Sequence, residues 1–224
     1  PDVQTLISRK QNTEKTRNNL NWLRHHSHAH IHADLIIGLP GEDLDSFARG
    51  FNELYSMQPH EIQVGILKRL KGTPIARHTH DYDMRFSPLP PFNILSNALI
   101  DFDTMQRLNR FARYWDIIIN NGRFKTSRNL LLGDRPFENF LKFSDWLYEK
   151  TDQTHRFALE RLFLLVHEGM IHALGLNREQ VESSLLDDHG RSGLKGRPGF
   201  LDSVRQINRT TQSNPAQRQR RHLN

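Results

Sequence analysis

The chain has 224 residues, enough for one sizeable hydrophobic core or two smaller ones, with 36% hydrophobic residues and a formal net charge of +6. It contains no cysteine, which excludes a disulfide framework and any thiolate-held metal or cluster built from these residues. No apolar run approaches the ~18–20 residues needed to cross a bilayer, and the first residues lack the layout of a signal peptide. The expectation is a cytoplasmic protein without a membrane partner.

The charge is unevenly spread. Residues 191–224 hold eight Lys and Arg against one acid, Asp202, for a local charge of +7. The other 190 residues are left with 23 basic and 24 acidic side chains, a net −1. The basicity therefore belongs to a Gly/Arg/Ser/Gln/Asn-rich tail. It reads as a solvated, mobile segment, with nucleic acid as its candidate partner. Only Phe200 interleaves with the arginines, so no aromatic platform for stacking bases is present.

In chain order, a loop with a short helical turn leads into a helix from Asn12 or Thr13 to about His26, capped at its start and apolar along Leu20, Trp22 and Leu23. His30–Ile37 reads as a buried strand. His30, His32, Asp34 and Ile36 alternate with Ile31, Ala33, Leu35 and Ile37, so one face is apolar and the other carries an acid and two imidazoles. Gly38, Pro40 and Gly41 end it in a tight turn. Asp43 caps a second helix, with Leu44, Phe47, Phe51, Leu54 and Met57 as its apolar stripe, stopped by Gln58-Pro59-His60. A second strand follows at Ile62–Leu67, with Gln63, Gly65 and Leu67 on one face. Lys71-Gly72-Thr73-Pro74 turns the chain. This is βαβ punctuation, and it predicts two parallel strands joined by a helical crossover.

From residue 81 the pattern changes. Residues 81–93 read as a proline-rich loop. A long helix is predicted from Ile94 to about Asn120, then helices at Lys125–Leu132, Phe137–Glu149, His155–Leu174 and Asn177–Leu186. The expected fold is α/β followed by all-α, divided into residues 1–80, 81–190 and a basic, disordered tail at 191–224.

The first third resembles the second half of a radical SAM barrel, a TIM-like fold. Leu6-Ile7-Ser8-Arg9-Lys10-Gln11 is similar to the segment after the fourth strand of that barrel. Asp34-Leu35-Ile36-Ile37-Gly38-Leu39-Pro40-Gly41-Glu42 is similar to the fifth strand and its turn. Pro59 through Pro74, ending Leu-Lys-Gly-Thr-Pro, is similar to the sixth strand and its exit. The nearest subset carries an N-terminal cobalamin-binding domain and a helical C-terminal domain of unknown function. The resemblance implies an enzyme that cleaves S-adenosylmethionine with a 4Fe-4S cluster, and, in that subset, cobalamin-dependent methyl transfer to a substrate the sequence does not name. It implies S-adenosylmethionine contacts at Asp34 (the ribose hydroxyls), Arg9 (the methionine carboxylate), and Leu67 or Lys68 (the adenine), with Gly38, Pro40, Gly41 and Gly72 as structural turn residues. The family's CxxxCxxC loop has no counterpart in a chain without cysteine. The expectation is therefore a C-terminal portion, inactive alone, with the cluster ligands on preceding sequence. The alternative is a non-enzymatic helical interaction or RNA-associated module with a basic tail.

Other patterns carry less. His25, His26, His28, His30 and His32 cluster, but only His30 and His32 share a strand face, and they read as cavity-lining and solvated imidazoles, with no metal ligands assigned. His167-Glu168 and His172 do not form HExxH, and no phosphate loop or nucleophile elbow appears.

Overall fold

The structure is a computed structural model and describes residues 2–7 and 12–201. It is a mixed α/β fold dominated by helices. A short helix α1 (Asp2–Leu6) and helix α2 (Thr13–His26) precede strand β1 (His32–Ile37), helix α3 (Leu44–Ser56) and strand β2 (Glu61–Ile66). β1 and β2 are parallel and in register from His32 opposite Glu61 to Ile37 opposite Ile66, with α3 as the crossover. The βαβ expectation is met, although β1 starts two residues later than the alternation proposes. Among the described residues β1 pairs with no strand but β2, and no closed barrel is present.

Local chemistry explains the helix starts. Asn12 accepts from the Lys15 N–H (2.9 Å) at the head of α2. Asp43 accepts from the Ser46 N–H (2.6 Å), and the Ser46 hydroxyl accepts from the Asp43 N–H (3.0 Å), so α3 opens with a reciprocal capping box. The predicted apolar side of α2 is only partly covered, however: Leu20 and Leu23 are half-buried. No residue of α2 is buried, and Trp22 is 59% exposed, stacked on His26.

The largest departure from the sequence reading lies between residues 85 and 100. Arg85–Phe86 (β3) and Ile94–Ser96 (β4) form an antiparallel hairpin, and the long helix α4 begins only at Phe102. The apolar period runs back through Leu95 and Leu99, but tertiary hydrogen bonds override it. The Ile94 N–H donates to the Leu67 carbonyl (2.8 Å), and Lys68 and Asn93 form a bridge. Asn97 Oδ1 accepts from the N–H groups of Leu99 (2.9 Å) and Ile100 (2.7 Å), which holds a turn where the helix was expected. Leu99 is left 56% exposed. Asp101 then caps α4 through the Thr104 N–H (2.8 Å).

α4 (Phe102–Trp115) runs into a π-helical turn, Asp116–Asn120, where the Asn120 amide donates to the Ile62 carbonyl of β2 (3.0 Å). Helices α5 (Ser127–Leu132), α6 (Pro136–Thr151), α7 (Leu159–His172) and α8 (Arg178–Arg191) complete the fold. One hydrophobic core runs through both halves. Phe51 of α3 packs edge-on to Phe111 (5.3 Å) and Trp115 (4.8 Å) of α4, which meet Phe137 and Phe140 of α6. Asn52 bridges the same halves, accepting from the Phe137 N–H (2.9 Å) and donating to Glu138 (3.0 Å). Arg107 of α4 holds Asp145 of α6 with both Nε and Nη2.

The chain stays packed beyond the expected start of the tail. Phe200 is fully buried and stacks on His167 (5.3 Å), and Leu194 and Leu201 lie against the core. Residues 202–224, most of the basic tail, lie outside the described residues.

Candidate functional site

The β1–β2 sheet has two unlike faces, set by the in-register pairing. Ala33, Leu35 and Ile37 stand beside Ile62, Val64 and Ile66 on the apolar face, where Ile37 and Ile62 are buried. On the other face His32, Asp34 and Ile36 stand beside Glu61, Gln63 and Gly65. This polar face is the candidate site.

Asp34 lies in its middle, opposite Gln63. The sequence reading placed it on a buried strand, where an unpaired carboxylate would be costly. Instead its side chain is exposed, and no hydrogen bond or ion pair to it occurs among the described residues. A groove of about 330 Å³ runs along the open edge of β1, walled by His32 and Asp34 with Thr16 and Leu20 of α2 and Glu53 and Met57 of α3.

Leu67 and Lys68 follow β2 and differ sharply. Leu67 is buried at 9% exposure; its N–H donates to the Ile37 carbonyl (3.0 Å) and its own carbonyl accepts from Ile94. Lys68 is exposed beside Asn93. Arg9 lies outside the described residues. The structure therefore brings Asp34, Leu67 and Lys68 onto one βαβ unit, with Asp34 and Lys68 open to solvent.

The turn after β1 explains its glycines. Gly38 has φ +90°, and a Cβ there would stand 2.7 Å from Cγ2 of Ile94. Pro40 is buried. Gly41 has φ +75° and faces Leu6 and Tyr82. Gly72 has φ +80° with open space around it, so conformation alone favours glycine there. Asn97 donates to the Leu39 carbonyl (3.3 Å), tying this turn to the hairpin segment.

Glu42, at the end of the Gly-Leu-Pro-Gly-Glu run, received no role from the sequence. Its Oε2 is buried without a hydrogen-bond partner. Burial pushes its carboxyl up to about 7, against the opposing hydrogen bonds from the Gly38 and Leu39 backbone. A carboxyl that titrates near neutrality at the C-terminal end of a parallel strand can give or take a proton there. Its signal was the acid directly after a Pro-Gly turn.

The opposite end of the face is imidazole-rich. His30 Nδ1 lies 2.8 Å from His32 Nε2, and His32 Nδ1 lies 3.0 Å from the Glu61 carboxylate. The His60 ring stacks on His30 at 4.8 Å and accepts the Ile31 N–H through Nδ1 (3.0 Å). Burial, with His30, Arg24 and His32 nearby, holds His60 below the usual imidazole range. The sequence showed His30 and His32 on one face; it did not place Glu61 beside them, because that depends on the strand register.

Comparison with known proteins decides the family of the larger part. Residues 80–222 match the family described as "Protein of unknown function (DUF4080)". The chain belongs to the DUF4080 family. The DUF4080 region takes in the β3–β4 hairpin, α4–α8 and the packed Phe200. A stretch of 76 residues is 32% identical to the oxygen-independent coproporphyrinogen-III oxidase-like protein HemZ of Bacillus subtilis (strain 168), covering 34% of this chain and 15% of HemZ. A stretch of 63 residues is 38% identical to the oxygen-independent coproporphyrinogen III oxidase of Pseudomonas aeruginosa, covering 28% of this chain and 14% of that protein. The chain thus matches about a seventh of the length of either relative. No helix among the described residues is long and apolar enough to cross a membrane.

Proposed function

We propose that this chain is the C-terminal part of a radical SAM enzyme, with residues 1–80 forming one wall of an S-adenosylmethionine cavity and the DUF4080 region bracing that wall. The observation that carries the reading is the polar face of the parallel β1–β2 pair. It presents an exposed carboxylate, Asp34, that has no partner among the described residues, on a unit closed by the Gly-Leu-Pro-Gly turn that carries the sequence resemblance. The partial likeness to two coproporphyrinogen oxidase-type proteins supports the same enzyme class.

In this reading Asp34 accepts from the ribose hydroxyls, two oxygens suiting a diol. By the resemblance, Arg9 would meet the methionine carboxylate, and Leu67 or Lys68 the adenine. Leu67 contributes by packing, since its side chain is buried and its N–H is taken by Ile37. The residues present do not fit an iron–sulfur cluster, because the 224 residues include no cysteine. Its ligands would lie on other sequence of the parent protein, and no step through the cluster is derived for this chain. Cobalamin-dependent methyl transfer is a narrower form of the proposal and rests on the resemblance of the strand motifs.

The test uses the parent protein. Sequence preceding Pro1 should contain CxxxCxxC within a barrel's length, and the purified parent should consume S-adenosylmethionine when reduced anaerobically. Asp34→Ala should raise the S-adenosylmethionine concentration for half-saturation about 10-fold, the loss of one charged hydrogen-bonding group. A parent sequence without the cysteine motif would sink the proposal.

A further inference from the structure

The imidazole-rich end of the polar face lies at the N-terminal ends of β1 and β2, away from the Gly38 turn. Register creates this cluster. His32 and Glu61 are ladder partners, and His30 lies two residues before His32 on the same face. Three potential ligand atoms, one each from His30, His32 and Glu61, lie within 4.8 Å of one another, and no other group of three His, Asp or Glu side chains does so among the described residues.

We propose that His30, His32 and Glu61 bind a divalent transition-metal ion, with zinc the best match. The ring nitrogens His30 Nδ1 and His32 Nε2 face each other at 2.8 Å, which leaves room for one shared proton and no more. A metal ion takes the place of that proton. Nitrogen donors at about 2.0–2.1 Å in a tetrahedral zinc site stand roughly 3.3 Å apart, so the rings need to open by only about half an ångström. Both are free to do so: His30 and His32 are exposed, and His32 keeps 57% of its side chain accessible. The His60 ring stacked on His30 sets the plane of that imidazole. Glu61 supplies the carboxylate, either to the ion or to the second nitrogen of His32, a support common to zinc-bound imidazoles. Two imidazoles and one carboxylate favour zinc, copper or nickel over magnesium or calcium, which prefer all-oxygen sites. The site leaves at least one position open to water or a ligand. It does not depend on the S-adenosylmethionine reading.

The experiment is a titration of the 224-residue chain with zinc chloride, followed by calorimetry and by competition with a chromophoric chelator. Expected is one tight site per chain, with affinity falling at least about 10-fold in His32→Ala and in His30→Ala, and less in Glu61→Gln. His25→Ala and His26→Ala serve as controls, since those rings bond to their own helix carbonyls. Cobalt(II) substitution should give the visible absorption bands of a tetrahedral site in the wild type and lose them in His32→Ala. The proposal is overturned if the wild type binds zinc more weakly than about 100 µM. It is equally overturned if the His30 and His32 variants bind like the wild type. All substituted histidines are exposed, and circular dichroism confirms that each variant is folded.

Discussion

Gly38 and Ile94 meet where the α/β unit joins the DUF4080 region: a Cβ on Gly38 would stand 2.7 Å from Ile94 Cγ2, and 3.3 Å from the Met105 methyl. The first residue ends β1 and the second begins β4, whose N–H bonds back to Leu67 at the end of β2. Gly38→Ala meets two penalties, a side chain at φ +90° and an overpacked contact. Together they should cost roughly 2–4 kcal/mol in urea unfolding. Adding Ile94→Ala should remove the clash but not the backbone strain. A double variant less stable than the sum of the two singles would refute the contact.

Glu42 makes stability depend on pH. Its carboxyl is near 4.5 unfolded and about 7 folded, so the folded state favours the neutral form. The Glu42 contribution is therefore fully present below pH 4.5, declines as pH rises towards 7, and levels off above that, with a total loss of at most about 3 kcal/mol. Glu42→Gln should flatten that segment of the curve and stabilise the protein at pH 8. A slope between pH 5 and 7 that survives the substitution would assign it to other groups.

Asp188 works in the opposite direction. It is fully buried, and accepts from the N–H groups of Thr126 (2.9 Å) and Ser127 (2.8 Å), the Ser127 hydroxyl (2.6 Å) and Arg191 (2.6 Å). Burial alone would raise its carboxyl, but these bonds outweigh it and hold it below the usual range. Its contribution is present above the ordinary aspartate value and is lost as pH falls through the lower folded one. Asp188→Ala would orphan the Thr126 and Ser127 amides where α5 meets α8, at a cost of about 3 kcal/mol. Thermal melts at pH 7 and pH 3 should show the gap between variant and wild type narrowing in acid.

Gly169 lets α7 sit close to α6. A Cβ there would lie 2.5 Å from Phe143 Cε2 and 2.9 Å from Trp146 Cε3. In an exposed helix Gly→Ala gains about 1 kcal/mol. Here the ring contacts should reverse the sign, leaving a net loss of about 1–2 kcal/mol in chemical denaturation. A stabilised Gly169→Ala protein would mean that the helices separate easily.

Elements that depend on their own residues were legible in the sequence. The Asp43 cap and the Phe47–Phe51 stripe gave α3 its start and its buried face. The alternation about Asp34 gave β1, and the apolar period of five helices gave α4 to α8, with the start of α4 set too early. Features set by distant partners were not legible. Leu95 and Leu99 extend a helical period that the Leu67–Ile94 bond and the Asn97 turn overrule. Phe200 sits among arginines and glycines, and its tertiary packing, on His167 among others, makes it core. Asp34 looked buried because it lies in an apolar run, yet Ala33, Leu35 and Ile36 are only half-buried and the pleat turns Asp34 outward. Glu61 joins His30 and His32 through a register that no local pattern records.

The aromatic seam from Phe51 through Phe111 and Trp115 to Phe140 bears on how such chains can be recombined. A helical half transplanted onto an unrelated βαβ unit would arrive without Phe47, Phe51 and Asn52, leaving Phe111 and Phe137 facing water. A chain cut near residue 80 would yield adhesive fragments, and a fusion that keeps Thr13–Leu201 intact would not. The α/β unit and the DUF4080 region thus share one core and are expected to behave as a single folding unit, not as exchangeable modules.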